Sequence, residues 1–574
     1  MKSKLFSYLS ALIFTTLLSG GCNGKGNHSG EDVLKYNQVG YYTSGPKLVL
    51  LDDSYEEVLI KDLDGKLVLR VFADSAKFWE PSGDTVRKVN LSWLDNQGTY
   101  LLEIPGSDVQ YQITVSDNPY DELVRAAIKA FYYNRTAIPL EESYAGKWSR
   151  MAGHPDTIVY VHSSAATKQR PEGTVISSPR GWYDAGDYNK YVVNSAITTY
   201  TLLKALKDYS DYFDTLNMNI PESGSGLPDL LSETLFNLRW VLTMQDPFDG
   251  GVYHKLTSKK FDDFIMPHES VSERYVVAKS TAAALDFAAL NAAASRILRD
   301  YEELIPVLAY SCIAAAKKAW NWALENPDIY YKQPDDIVTG AYGDISLNDE
   351  WFWAASELFL ATGDSGVKDY VGKYYSQPAI PSWNEVGTLG IMSLCESAEV
   401  EVDLSLPLSN DFLAFTESLI HKWETSPYAV SIQSFVWGSN SAVANEGMLK
   451  MSAYRLTGKR KYLESAISDL DYILGRNATG YCFVTGFGEK RVMNIHHRPS
   501  EADGIHDPIP GFLAGGPNLD VLTDCSEDGN GRSLFPAKSY VDMVCSYSTN
   551  EIAINWNAPL VYLLGAINAS ALAK

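Results

Sequence analysis

The hydrophobic periodicity of the chain changes once, near Asp117. Before this point apolar residues recur at every second position in segments such as KLVLL, EVLIKDLDGKLVLRVF and GTYLLEI, which DG and NQG turns separate. This alternation is typical of half-buried strands and predicts an immunoglobulin-like β-sandwich over residues 34–117. Beyond it the period is helical, so residues 118–574 are expected to form a separate all-α domain.

Twelve amphipathic stretches follow one another in the helical part. They begin near Asp121, Ser195, Leu227, Lys279, Glu303, Asp349, Val367, Trp383, Asn410, Ser439, Lys459 and Asn555. No strand-like segment interrupts them, so we expect six helical hairpins. An even set of this length can close as two concentric rings, an (α/α)6 barrel in which outer and inner helices alternate.

The connections between these helices differ systematically in length. Those leading into even-numbered helices are long and rich in aromatic and polar residues, namely 136–194, 246–278, 326–348, 427–438 and 478–554. In an alternating ring every even helix starts on the same side, so the long loops gather on one face. Long loops within a compact domain are usually functional or disordered, and these are too aromatic for disorder. We therefore expect the functional site on this face.

Carboxylates occur in two of these loops, far apart in sequence. Asp184 and Asp187 lie in GWYDAGDYNKYV before the second helix, and Glu551 lies in NEIAINWNAP before the twelfth. Barrel closure makes the last hairpin a neighbour of the first, so these acids are expected to meet across one cleft. Taken singly, the aspartates also suit a turn and Glu551 also suits a helix start.

Paired carboxylates across a cleft are what glycosidic bond cleavage requires, because one group must donate a proton while the other acts as a base. Apolar neighbours such as Ile552 and Trp556 disfavour ionisation of Glu551, whereas an aspartate among polar turn groups stays ionised. The residues themselves therefore suggest Glu551 as the acid and Asp187 as the base.

Five motifs in the helical part carry a family resemblance. GWYDAGDYNKYV, DGGVYHK, HHRPS, GGPN and NEIAINWNAP occur in this order, and NQVGY at residues 37–41 precedes them. Together they resemble the catalytic domain of glycoside hydrolase family nine, the endoglucanase family, preceded by its amino-terminal immunoglobulin-like domain. The resemblance runs from about residue 34 to the end of the chain.

The resemblance implies roles for individual residues. Asp187 would activate a water, Asp184 would help to hold that water, and Glu551 would be the acid of an inverting reaction. Inversion needs room for a water, so the two catalytic carboxyls should lie roughly 6.5–9.5 Å apart. His496 and Arg498, which match the family's H-x-R signature, would bind the sugar beside the cleaved bond.

Aromatic and polar residues elsewhere in the long loops are candidates for further substrate contacts. Flat apolar faces of sugars stack on aromatic rings, while sugar hydroxyls require oriented polar groups. A loop aromatic can equally plug the ends of the helices, so both interpretations stay open. The candidates are Tyr547, Trp437, Tyr253, His254 and Trp556.

No cofactor is required by this chemistry, but the resemblance raises a structural calcium site. Some relatives have a serine-glycine run before Asp-Glu, and this chain has DISLNDE, with Ile345 and Ser346 at the two preceding ligand positions. Asp349 and Glu350, completed by Asn384, would then supply oxygen ligands. A helix cap formed by the two acids is the alternative.

The amino terminus predicts export. Lys2, Lys4 and the run LFSYLSALIFTTLL read as a signal peptide over residues 1–21, and Cys22 resembles the lipid-bearing cysteine of a bacterial lipoprotein. Residues 22–33 would then be a tether between a bacterial membrane, on its cell-surface or periplasmic side, and the sandwich. Ordinary secretion is the alternative.

The net charge limits the possible partners of the protein, and the cysteine content indicates the state of its thiols. A net charge of −23 and a pI near 4.8 disfavour a nucleic-acid partner. The five cysteines after Cys22 are an odd number without close doublets, so mostly buried free thiols are expected.

Three functional hypotheses remain. The first is an inverting endo-β-1,4-glucanase, expected to be monomeric, acting on cellulose-like glucan, xyloglucan or mixed-linkage glucan. The second is a family member that releases short oligosaccharides from a chain end. The third is a surface lipoprotein that binds glycans without cutting them.

Overall fold

Two β-sheets form the amino-terminal domain of the computed structural model, which describes residues 33–525 and 531–572. The strands are β1 (Leu34–Lys35), β2 (Tyr41–Tyr42), β3 (Leu48–Asp52), β4 (Glu57–Lys61), β5 (Leu67–Phe72), β6 (Lys77–Trp79), β7 (Asp84–Asn90), β8 (Gly98–Glu103) and β9 (Gln110–Ser116). One sheet has the order β1-β3-β7-β6 and the other β2-β9-β8-β4-β5. Only β2 and β9 pair in parallel among these strands.

The alternating sequence pattern produces the core of this sandwich. Val58 and Ile60 in β4, and Ile113 and Val115 in β9, point inward and are fully or almost fully buried, while their neighbours face outward. Burying one face of each sheet against the other is what holds a sandwich together.

Helices dominate the rest of the chain. They are α1 (Asp121–Tyr133), α2 (Glu142–Ala145), α3 (Val192–Asp208), α4 (Ser210–Phe213), α5 (Asp229–Thr243), α6 (Thr281–Ile297), α7 (Leu308–Glu325), α8 (Asn348–Thr362), α9 (Ser365–Lys373), α10 (Gly387–Glu396), α11 (Val402–Thr425), α12 (Ser439–Thr457), α13 (Arg460–Ile473), α14 (Arg498–Ala502), α15 (Tyr547–Asn550) and α16 (Ile554–Leu572). Within the described ranges, the twelve that exceed five residues correspond one to one to the predicted stretches.

Burial differs between the two predicted sets of helices, although α5 and α13 of the odd set are also largely buried. The even members of the predicted series (α3, α6, α8, α10, α12 and α16) are buried around most of their circumference, whereas α7, α9 and α11 expose one side. The last helix, α16, packs against both α3 and α12, which closes the ring. The predicted fold class, a β-sandwich followed by an (α/α)6 barrel, is confirmed.

A third sheet lies in the long loops, where no strand was predicted. Its strands are β10 (Val159–Val161), β11 (Val175–Ile176), β12 (Lys190–Tyr191), β13 (Lys255–Thr257) and β14 (Tyr275–Val276), in the order β11-β10-β14-β13-β12. Each strand has only two or three residues, too few for a periodic signal. The sheet joins the loops before α3 and α6 into one layer over the barrel face.

Most of the five cysteines after Cys22 are free thiols, as predicted, but two of them are bonded to each other. Cys525 and Cys545 form a disulfide, while Cys312, Cys395 and Cys482 are free thiols. Sequence spacing alone could not show this pairing, because the two cysteines are 20 positions apart and meet only through the tertiary fold.

The predictions for the first residues fall outside the described part of the chain. This applies to the signal peptide at 1–21, to Cys22 and to nearly all of the tether at 22–33. Of the helices in the described part, none combines the length and the apolar character needed to cross a bilayer.

Candidate active site

Buried aromatic side chains support the turn that carries Asp184 and Asp187. Trp182, Tyr183, Tyr188 and Tyr191 are almost fully buried, and the indole N–H of Trp182 donates to Glu233 at 2.8 Å. These four rings, unusual for a surface turn, anchor the segment that leads into α3.

Glycine is required between the two aspartates. A Cβ atom on Gly186 would lie 2.1 Å from the carbonyl oxygen of His496, a distance that no side chain tolerates. The same close approach lets the N–H of Arg498 donate to the carbonyl of Gly186 at 3.1 Å. The aspartate turn is thus in direct backbone contact with the histidine segment.

Glu551 lies against this turn, more than 360 positions away in sequence. The backbone N–H of Gly186 donates to Glu551 Oε1 at 3.3 Å, and the N–H of Ile554 donates to the carbonyl of Asp184 at 2.8 Å. The structure therefore brings the three predicted carboxylates together, as barrel closure required.

Asp187 has one restrained and one free oxygen. Its Oδ2 accepts hydrogen bonds from Asn189 Nδ2 at 2.5 Å and from the Tyr191 hydroxyl at 3.1 Å. Its Oδ1 is buried and has no hydrogen-bond partner within the described part of the chain. An oriented carboxylate with one unoccupied oxygen is suited to accept a proton from a water.

Both carboxylate oxygens of Asp184 accept hydrogen bonds. Asn194 Nδ2 lies 3.0 Å from both carboxylate oxygens, and the Tyr342 hydroxyl donates to Oδ2 at 3.0 Å. Burial, and secondly the negative charge of Asp187, raise the pKa of Asp184 to about 8, against the lowering effect of these hydrogen bonds.

The pKa of Glu551 is raised well above its usual range. Burial is the largest cause, followed by the charges of Asp187 and Asp184, while Gly186 and Arg498 act in the opposite direction. These surroundings favour the protonated form of Glu551, which is the form that a general acid requires.

His496 and Arg498 differ in how far they reach the cleft. The carbonyl of Val544 accepts a hydrogen bond from His496 Nδ1 at 2.6 Å, and burial lowers the pKa of this partly exposed histidine. The ring is therefore neutral, with the lone pair of Nε2 left to accept from a sugar hydroxyl. Arg498 is largely buried, and its Nη1 and Nε donate to the carbonyls of Gly186 and Asp262.

Two of the predicted aromatic contacts face the cleft. Trp437 is 40% exposed and lies 5.4 Å from the ring of Tyr547, which in turn lies 6.0 Å from His496. Trp556 is only partly exposed and packs against Gly438 and Gly515, so its ring supports the segment that carries Trp437.

Tyr253 and His254, which were predicted as substrate contacts, have fully buried side chains in this structure and do not reach its surface. The Tyr253 hydroxyl donates to Asp246 at 3.1 Å. His254 stacks on Tyr331 and hydrogen-bonds through both ring nitrogens to Ser280 and Ala341. Neighbouring loop residues such as Asp246, Tyr331 and Ala341 surround these two side chains.

The predicted calcium ligands are only partly arranged for a metal. Asp349 accepts from the N–H of Val386 at 2.7 Å, and the exposed Asn384 accepts from Ser382 at 2.8 Å. No group of three His, Cys, Asp or Glu side chains between residue 33 and residue 572, outside 526–530, has a metal-binding arrangement. However, Glu350 Oε2 and both carboxylate oxygens of Asp286 are buried without partners in the same region.

Sequence reasoning missed three residues that orient the carboxylates. Asn189 and Asn194 come shortly after Asp187 in the sequence. Their role could have been predicted, because the side-chain amide of an asparagine near a carboxylate can donate a hydrogen bond to it. Tyr342 comes from the loop before α8 and has a positive φ of 50°, which is unusual for a bulky residue. No local pattern could have shown its contact with Asp184.

Comparisons with known proteins agree with this geometry. The family model "Glycosyl hydrolase family 9" matches residues 120–564, and "Cellulase N-terminal ig-like domain" matches residues 30–109. A xyloglucan-specific endo-β-1,4-glucanase of Bacteroides ovatus is 41% identical over 99% of both chains. Endoglucanase D of Acetivibrio thermocellus is 30% identical over 99% of this chain and 87% of its own length.

Solved structures give the same result. A Bacteroides ovatus family 9 structure superposes with a TM-score of 0.87 at 41% identity, covering 94% of this chain and 99% of its own. A single mutant of a thermostable endoglucanase from Alicyclobacillus acidocaldarius has a TM-score of 0.85 at 30% identity, covering 93% and 99%. The chain therefore belongs to glycosyl hydrolase family 9 and is an inverting endo-β-1,4-glucanase of that family.

Proposed function

We propose that the protein hydrolyses the β-1,4-glucan backbone of xyloglucan, with Asp187 as base and Glu551 as acid. The observation that carries the assignment of roles is the convergence of Glu551 with Asp184 and Asp187 around Gly186. The similarity to a xyloglucan-specific enzyme over nearly the full length of both chains supports the choice of substrate.

The proposed reaction is a single displacement. Asp187 Oδ1 takes a proton from a water whose oxygen attacks the anomeric carbon, and Asp184 holds that water. Glu551 gives its proton to the glycosidic oxygen as the carbon–oxygen bond breaks, so the leaving chain departs as an alcohol. Solvent then restores the starting protonation of both carboxyls. The configuration at the anomeric carbon is inverted, because attack and departure occur on opposite faces.

Neighbouring side chains supply substrate binding in this proposal. His496 Nε2 accepts from a sugar hydroxyl, and the rings of the exposed Trp437 and the half-buried Tyr547 stack on the apolar faces of the glucan. Arg498 acts differently, because it positions the aspartate turn through the carbonyl of Gly186.

Product analysis on a panel of soluble β-glucans tests this function. We expect a rapid fall in the viscosity of xyloglucan, a smaller effect on mixed-linkage glucan, and a distribution of oligosaccharide lengths at early times. Release of one short product with little change in viscosity would instead indicate action at chain ends. Asp187→Ala and Glu551→Ala should abolish cleavage while binding is retained. Binding without cleavage by the wild type would leave only the glycan-binding hypothesis.

We also propose that the protein is exported and lipid-anchored through Cys22, and that it acts as a monomer. The signal-like segment of residues 1–21 supports export, and so does the Cys525–Cys545 disulfide, because disulfides persist in oxidising compartments. Membrane fractionation tests the anchor: Cys22→Ala should move the protein from the membrane to the soluble fraction. Light scattering of the purified protein tests the monomer.

We also propose that the protein binds a structural calcium ion. Asp286, Asp349 and Glu350 lie close enough to raise the pKa of Asp286 and of Glu350, after burial as the largest cause. A cation beside them would offset this repulsion. Metal analysis of the purified protein, together with a fall in Tm after chelation that calcium reverses, would support the site. An unchanged Tm would contradict it.

A further inference from the structure

Two phenylalanines project from the long loop between β13 and β14. Phe261 is 46% exposed and Phe264 is 39% exposed, in a segment whose residues 259–264 are mostly exposed. Exposed aromatic surface of this kind is unfavourable in water unless something covers it, and clusters of such rings commonly mark binding sites.

The two rings are held against the histidine segment of the active site. The guanidinium carbon of Arg498 lies 5.4 Å from the centroid of each phenylalanine ring, and Phe264 meets His496 edge-on at 5.4 Å. Because Arg498 also donates to Gly186, one side chain connects the rings to the aspartate turn. His496 in turn pairs through its backbone with Glu551.

Polar contacts make the loop rigid. The carboxylate of Asp262 accepts from the hydroxyls of Ser270 and Ser272 at 3.0 and 2.8 Å, and the Tyr188 hydroxyl donates to the carbonyl of Ile265 at 2.5 Å. The rings are therefore presented in one orientation before any ligand arrives, which lowers the ordering cost of binding.

We propose that Phe261 and Phe264 form a stacking platform for a pyranose ring of the glucan, beyond the sugars that flank the cleaved bond. This inference rests on the proposed function and adds a specificity-determining subsite to it. The ligand class follows from the chemistry: the rings offer apolar faces without hydroxyls, which suits the C–H face of a sugar. The contact with His496 makes the platform continuous with the cleft.

Chain-length kinetics test the platform. For Phe261→Ala, Phe264→Ala and the double variant, kcat/KM is measured on an aryl β-cellobioside and on β-1,4-gluco-oligosaccharides of increasing length. We expect KM to rise by about 3- to 10-fold per ring removed on long substrates, with a much smaller change on the short aryl substrate. Phe264→Tyr keeps the ring and should restore most of the affinity for long chains.

The sandwich offers a matched control. Phe72 is 67% exposed and lies 5.3 Å from the guanidinium carbon of Arg70, outside the barrel. Phe72→Ala removes the same kind of exposed ring and should leave the kinetics on every substrate unchanged.

Three outcomes would overturn the proposal. One is a double variant that matches Phe72→Ala at all chain lengths. A second is an equal loss of kcat on short and long substrates, because the rings would then only position His496 and Arg498. The third is a wild type that cuts no β-1,4-glucan, which overturns the proposed function as well. Normal cleavage with unchanged KM in the variants overturns the platform alone.

Discussion

At the scale of single residues, three carboxylates lie close together in one largely buried site, where Arg498 offsets only part of the negative charge around Glu551. Their pKa values are consequently raised where the structure resolves a shift, at Asp184 to about 8 and at Glu551 well above the usual range. The raised pKa values favour the protonated acid that the reaction requires, but they lower the stability of the folded protein as the pH rises. Such a conflict between activity and stability is expected at functional sites.

Asp184→Asn tests this conflict. An acid whose pKa is higher in the folded state than in the unfolded state loses stability as pH rises, because the unfolded chain ionises first. The penalty grows from the unfolded value near 3.8 up to about 8, by at most about 1.4 kcal/mol per pH unit. Asp184→Asn should therefore stabilise the protein more at pH 8 than at pH 5, as measured by denaturant unfolding. An equal gain at both pH values would contradict the assigned pKa.

Tyr191→Phe tests how Asp187 is oriented. The variant removes the hydroxyl that donates to Asp187 Oδ2 and leaves the ring in place. A hydrogen bond to a charged group contributes about 1.5–3 kcal/mol, so kcat should fall by about 10- to 100-fold with little change in KM. Tyr200→Phe removes another buried hydroxyl, which bonds Leu389 and Ser393 away from the site, and should keep kcat. Equal kcat in both variants would show that Tyr191 has no positioning role.

At the scale of elements, the loops between helices carry the chemistry while the helices only place them. The segment before α16 illustrates this. Asp524 Oδ2 accepts from the N–H and the hydroxyl of Ser548 at 2.9 and 2.7 Å, which holds the short helix α15 just before Glu551. Cys525, the next residue, is bonded to Cys545, so the disulfide clamps both ends of this loop.

Removal of this disulfide should affect both stability and catalysis. Closing a loop of about 20 residues contributes about 3 kcal/mol in the chain-entropy model. The Cys525→Ser, Cys545→Ser double variant should have a lower Tm and a reduced kcat/KM, because α15 and Glu551 lose their support. Cys395→Ser, which changes a free thiol, is the control. A double variant with wild-type kinetics would show that the clamp serves stability alone.

The sequence predicted the helices better than it predicted the loop interiors. Long periodic segments such as α3 and α16 carry a strong signal, and the unequal loop lengths indicated the correct face. Burial within that face carries no such signal. Tyr253 and His254 are buried by residues that are distant in sequence, such as Tyr331 against His254, and Tyr342 reaches Asp184 across 158 positions, so neither fact could be read from local sequence.

At the scale of the whole molecule, the sandwich is packed against the barrel through a polar and aromatic interface. Asn37 Nδ2 donates to the Tyr120 hydroxyl at 2.8 Å and to Asp471 Oδ1 at 2.7 Å, and Trp79 packs on Tyr428 with ring centroids 4.3 Å apart. Burial raises the pKa of Asp471 to about 7 despite these contacts. The interface supports a bracing role for the sandwich.

Asn37→Ala tests the brace. The change removes the two buried hydrogen bonds that Asn37 Nδ2 donates to Asp471 and to the Tyr120 hydroxyl, so the free energy of unfolding should fall by about 1–3 kcal/mol, measured by denaturant unfolding. KM for glucan should stay unchanged, since the interface lies away from the carboxylates. Asn96→Ala alters an exposed asparagine of the same domain and should have no effect. A raised KM without lost stability in Asn37→Ala would point to glycan binding by the sandwich instead.

The central claim is that a water activated by Asp187 attacks opposite the proton donor Glu551. Proton NMR of the first product formed from a β-1,4-gluco-oligosaccharide tests it most directly, before mutarotation mixes the anomers. For an inverting reaction, we expect the newly formed reducing end to appear first as the α-anomer. A β-anomer at the earliest time point would contradict it, because retention requires a covalent intermediate rather than a water held between the two carboxyls.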